Sequence, residues 1–117
     1  PPTCDDPRFC PYGPPPDLHA FLDTIAGSGY AVAPVEAAAS KLAKASPAKA
    51  AITDQAAWID EGFELAKSAV YVSPIGIGVG PFTIDHDYQL AAAKLGRARM
   101  ALAGARLARL LNDALGK

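Results

Sequence analysis

Asp87-Tyr88-Gln89-Leu90-Ala91-Ala92-Ala93-Lys94-Leu95-Gly96-Arg97-Ala98-Arg99-Met100-Ala101-Leu102-Ala103-Gly104-Ala105-Arg106-Leu107-Ala108-Arg109-Leu110-Leu111-Asn112-Asp113-Ala114-Leu115 closes the chain. It reads as one helix, about 40 Å long if unbroken at 1.5 Å per residue. In its second half Met100, Ala103, Leu107, Leu110, Leu111 and Ala114 share a face, and Arg99, Arg106 and Arg109 lie opposite. In the first half Tyr88, Ala91 and Leu95 point nearer the arginine side. The buried face is therefore expected to change along the helix, through a kink or through cover on two sides, and Gly96 and Gly104 permit either a kink or a close crossing. The arginine stripe can reach phosphates. A solvated face is the simpler expectation, because Asp113 interrupts the stripe and no aromatic residues accompany it to stack bases.

Just upstream, His86 stands between Asp85 and Asp87 and looks locally like a ligand cluster. As part of a helix-start loop it is expected to face solvent. Ser73-Pro74 breaks the preceding helix, and Ile75-Gly76-Ile77-Gly78-Val79-Gly80-Pro81 follows. This is no dinucleotide fingerprint, which needs G-x-G-x-x-G between a strand and a helix. A covering loop is expected, with its isoleucines and valine on the core.

A third helix, capped by Asp54 or Thr53, should run to about Tyr71. Trp58, Phe63, Leu65, Ala66, Ala69 and Val70 give it a broad apolar face, and Asp60, Glu61, Glu64 and Lys67 its polar side. Glu61 and Glu64, three apart, can form an acid pair, although solvated helix-face charges explain them as well. Gly62 costs about 1 kcal/mol in a helix interior, which suggests close packing against it. A second helix is expected from Pro34 through Ala45, with Ser46-Pro47 stopping it.

The first helix begins at Asp17-Leu18-His19-Ala20-Phe21-Leu22-Asp23, where Asp17 can cap the free N–H groups of the turn that follows. It should end at Gly27-Ser28-Gly29. Leu18, Phe21, Leu22 and Ile25 fall within one arc, with His19 and Asp23 together on its edge. An imidazole and a carboxylate one turn apart can bind a single divalent cation, or they can form a plain surface pair worth a few tenths of a kcal/mol.

Residues 1–16 hold seven of the eleven prolines and predict an irregular lead-in. Cys4 and Cys10, the only cysteines, can close a small local disulfide, which would favour a secreted or periplasmic location. The alternative is a two-thiolate zinc clip, with no second pair to complete it. The chain of 117 residues is one domain's length, and 50% hydrophobic content suffices for a core. A net charge of −1 supplies no general cationic field for nucleic acid. No apolar run approaches a membrane span. The proline-rich opening, without a visible signal peptide, reads as a joint within a longer chain.

Taken together these pieces resemble the carboxy-terminal part of the zinc-dependent, single-strand-specific nucleases, the class I nuclease and 3′-nucleotidase family, whose fold is shared with zinc phospholipase C. Three blocks carry the resemblance, over about residues 17 to 115. The Asn-Leu-His-x-x-Trp-Asp type motif is seen as Asp17 to Asp23, with Asp17 for asparagine and Leu22 for tryptophan. A Trp-x-x-Glu helix ending in Val-Tyr is seen as Trp58 to Glu61 and then Val70-Tyr71. The closing Ala-Gly-x-Arg-Leu-Ala-x-Leu-Leu-Asn matches Ala103 to Asn112 at every named position.

The resemblance implies an all-α helical bundle of the zinc phospholipase C and single-strand nuclease type. This chain would form its later half, about four helices over residues 17–117 behind the 1–16 lead-in. It also implies a three-zinc cleft that hydrolyses single-stranded DNA and RNA, or nucleotides, through metal-activated water. His19 and Asp23 would ligate one zinc, and no catalytic base would come from this segment. Three zinc ions need several histidines and the chain has two. A missing amino-terminal segment or chain is therefore expected to supply the other ligands, and this chain alone should be inactive. The alternatives are a phospholipid-cleaving enzyme of the same fold and a non-catalytic helical interaction module.

Overall fold

The computed structural model describes residues 17–25, 32–42, 44–78 and 80–117. The proline-rich lead-in, the Cys4–Cys10 pairing, the glycine stop at 27–29 and Val79 lie outside them. The regular elements described are all helical: α1 (Leu18–Asp23), α2 (Val32–Ala39), α3 (Pro47–Ala50), α4 (Gln55–Leu65) with a wider π-helical turn over Ala66–Val70, and α5 (His86–Leu115). The all-α expectation holds. No helix among the described residues is long and apolar enough to cross a membrane.

The starts of α1, α3, α4 and α5 each have a side-chain cap that satisfies an otherwise free N–H. Asp17 Oδ1 accepts from the Ala20 amide at 2.8 Å, Asp54 Oδ1 from Ala56 at 3.0 Å and Asp85 Oδ1 from Tyr88 at 2.8 Å. Ser46-Pro47, expected to stop a helix running to Ala45, instead starts one, since α2 already ends at Ala39. Ser46 Oγ caps the Lys49 amide and Pro47 sits in the first turn, where its missing N–H costs nothing. Gly116, at φ +70°, ends α5 in the left-handed conformation that favours glycine.

The core is small and lies at one end of the described helices. Phe21, Ile75, Ile84, Tyr88 and Ala92 are buried, with Leu18, Leu22, Ile25, Val72 and Phe82 packed around them. The Phe21 and Tyr88 rings meet at 6.3 Å, and the Tyr88 hydroxyl donates to the Val70 carbonyl at 2.8 Å. Burial pushes the Tyr88 phenol pKa up, and nearby Tyr71 adds to this. One hydroxyl thus ties the π-helical turn to the start of α5, while the Phe21 ring ties α1 to that same tyrosine. Of the 75–81 loop, Ile75 reaches the core as expected but Ile77 is 92% exposed.

The buried face of α5 differs from the expectation. Tyr88, Ala92, Leu95, Arg99, Leu102 and Arg106 alternate by four and three residues and so form one straight stripe. Tyr88, Ala92, Leu102 and Arg106 on it are buried, and Leu95 and Arg99 are half-buried. The helix runs unbroken with its arginine side turned inward. Leu107, Leu110 and Leu111, expected inside, are exposed, Leu107 at 57%. Gly96 does serve a close crossing, because a Cβ there would lie 2.9 Å from Ile25 Cγ2. Gly62 does not: nothing described comes within 4 Å of its Cβ position.

Candidate functional site

His19 and Asp23 stand one turn apart on α1, whose opposite side is fixed in the core by Phe21. His19 Nε2 lies 3.2 Å from Asp23 Oδ2, and the side chains are 86% and 65% exposed. The 3.2 Å separation is that of a surface i,i+4 pair. It also suits a shared metal, since two donors on a tetrahedral zinc with bonds of about 2.0–2.1 Å stand about 3.3 Å apart. The pair supplies two donors of the four such a site needs. No group of three or more His, Cys, Asp or Glu capable of holding a metal is found among the described residues. His86 is exposed, and neighbouring Asp85 is committed to capping α5.

A second charged cluster joins α3, α4 and α5. Arg106, only 5% exposed, donates from Nη1 to Glu61 Oε2 at 2.9 Å and from Nη2 to Glu61 Oε1 at 2.8 Å. It also donates from Nε and Nη2 to the Lys49 carbonyl at 3.3 and 3.2 Å. Its guanidinium lies 5.2 Å from the centre of the Trp58 ring, and Trp58 Nε1 donates to the Ile52 carbonyl at 2.8 Å. Arg99 Nη1 reaches the same Glu61 Oε2 at 3.2 Å. Burial of an arginine is tolerated here because four donor contacts and a stacked ring replace its water.

Glu61 is therefore neither a solvated face charge nor half of an acid pair. Glu64 points elsewhere, to Lys67 Nζ at 3.2 Å. The arginine stripe is not a solvated face either, because Arg106 is buried and Arg99 half-buried. Arg109 remains exposed, 3.7 Å from Asp113. The available signal was the Tyr88–Leu95 face itself. Continued at the same spacing instead of switched, it places Arg99 and Arg106 inside.

The hydrogen-bonded Arg106 guanidinium holds the Glu61 carboxyl down to about 2 from an ordinary 4.5; partial desolvation opposes this, and Arg99 adds to the lowering. A carboxyl lowered on folding contributes stability above its unfolded pKa and loses it as pH falls through the folded one. The thermal midpoint should therefore drop between about pH 4.5 and pH 2, and Glu61→Gln should flatten part of that fall. An unchanged acid slope in Glu61→Gln would remove Glu61 from the cause.

The described residues thus define an all-α protein with an exposed His/Asp pair at one place and an arginine-clamped glutamate at another. No family model, no curated protein and no solved structure matches the chain.

Proposed function

We propose that the chain forms part of a zinc-dependent phosphodiesterase acting on single-stranded DNA and RNA. In this reading His19 and Asp23 ligate one of three zinc ions, and a separate segment or chain supplies the remaining ligands. The observation that carries it is the convergence of Nε2 and Oδ2 at 3.2 Å, close to the edge of a zinc tetrahedron, on a helix anchored by a fully buried ring. The closing block from Ala103 to Asn112 adds the family resemblance. When bound, zinc supplies Lewis acidity toward phosphate oxygens and an activated water. His19 contributes a neutral ring nitrogen and Asp23 a carboxylate oxygen. Their exposure leaves room for the further ligands to approach.

The test is metal content and single-strand cleavage, measured on this chain alone and after addition of a segment carrying the other ligands. The expected outcome is no cleavage alone, cleavage after reconstitution, and loss of one zinc and most activity in His19→Ala. Unchanged zinc content in His19→Ala rejects the ligand assignment. Cleavage of phospholipid in place of nucleic acid moves the proposal to the lipid-cleaving alternative. A fold indifferent to chelator, with no zinc under any condition, favours an interaction module.

A further inference from the structure

We propose that the cavity beside Trp58 binds a small aromatic anion, a carboxylate or phosphate ester attached to a flat ring. Its charge sits on Arg99 and its ring lies against Trp58, Leu107 and Leu110. The cavity is about 300 Å³ and is lined by Trp58, Arg99, Ala103, Arg106, Leu107 and Leu110. That is the lower end of the size range of small-molecule sites. An apolar cavity of about 150 Å³ is enough for benzene, so a ring and one charged substituent fit.

The charge follows from the ion cluster behind the wall. Two guanidiniums share one carboxylate, so one positive charge is left over. Arg106 is committed to Glu61 and to the Lys49 carbonyl. Arg99 is not: it makes one bond, to Glu61 Oε2, and its side chain is 35% exposed. Its other N–H groups have no partner among the described residues, and a guanidinium presents them in the planar fork that matches carboxylate and phosphate oxygens.

The ring follows from the walls. Leu107 and Leu110 are exposed leucines at the opening. The Trp58 ring is held still by its Nε1 bond to Ile52 and by Arg106 over it, and a fixed aromatic surface prefers an offset or edge-on aromatic partner. A bare inorganic anion would leave these walls wet, a neutral ring would leave Arg99 unanswered, and a cation would meet the surplus positive charge. None of these residues belongs to the metal pair, so the proposal stands apart from the zinc reading.

Trp58 is the single tryptophan of the chain, so its fluorescence reports the cavity alone. The experiment titrates the whole chain with phenyl phosphate, phenylacetate, benzyl alcohol and inorganic phosphate, with broadening of the ligand NMR lines as the second readout. One or both aromatic anions should bind saturably, and their relative affinity separates a phosphate ester from a carboxylate source. Benzyl alcohol and inorganic phosphate should each bind at least about tenfold more weakly, the effect expected of losing one charge-assisted contact or the ring. Arg99→Gln should bring the anions down to the benzyl alcohol level. Ala103→Leu, which fills the cavity from an exposed helical position, should abolish binding with the thermal midpoint preserved. The proposal is overturned by no saturable signal in either readout, by equal affinity for benzyl alcohol, by undiminished affinity in Arg99→Gln, or by binding that weakens as protein concentration rises, the sign of a second copy covering the cavity.

Discussion

Replacing Arg106 with methionine should destabilise the protein by about 3 kcal/mol, although the substitution looks like a gain of apolar surface on a helix. Its guanidinium joins three elements through the Glu61 carboxylate and the Lys49 carbonyl, and it stacks on Trp58. Truncating one partner of a buried ion pair costs about 3–5 kcal/mol. The lower end applies, because Glu61 is itself 26% exposed and Arg99 still reaches it after the change. Denaturant unfolding followed by circular dichroism measures the loss. Arg99→Gln provides the scale, since Arg99 makes one contact and is only half-buried, and it should cost well under half as much. Equal losses for the two arginines would mean that the bond pattern at Glu61 does not set the strength of the junction.

Phe21→Ala is expected to be more damaging still, at about 3–5 kcal/mol for emptying a fully buried aromatic site. Domains of this size have only about 5–15 kcal/mol in hand. The consequence reaches the candidate site, because α1 has six residues and a helix so short does not persist in water by its own propensity. Phe21 against Tyr88, with Leu18, Leu22 and Ile25 around it, is what holds α1 in place. Loss of that ring should release His19 and Asp23 from their common orientation. Backbone NMR would show the amides of α1 moving to random-coil positions before α5 melts. If α1 persisted in Phe21→Ala, the pair would owe its geometry to something other than the core.

Much of the helical layout was legible from capping chemistry. Asp17 and Asp54 each precede an apolar-periodic run and each caps it, because a short acidic side chain can reach back to a free N–H without help from tertiary structure; Asp85, just ahead of the expected start at Asp87, caps α5 in the same way. The His19/Asp23 pairing was equally legible, being fixed by the 100° step of a helix and nothing farther away. What the sequence hid was the inward turn of Arg99 and Arg106. Charge argues for solvent, and only a partner 38 to 45 residues away, Glu61, reverses that argument. The leucines at 107, 110 and 111 looked like core for the same local reason, yet nothing described covers them fully. Gly62 misled similarly: its helical cost is real, but no close neighbour accounts for it among the described residues.

The central claim, that His19 and Asp23 act together on zinc, is tested most directly by following both histidine rings by NMR during a zinc titration of the whole chain. The chain has only His19 and His86, so each serves as control for the other. The ring nitrogen resonances of His19 should shift at lower zinc than those of His86, and Asp23→Asn should abolish the difference. Equal response of the two rings, or a His19 response indifferent to Asp23→Asn, would contradict it.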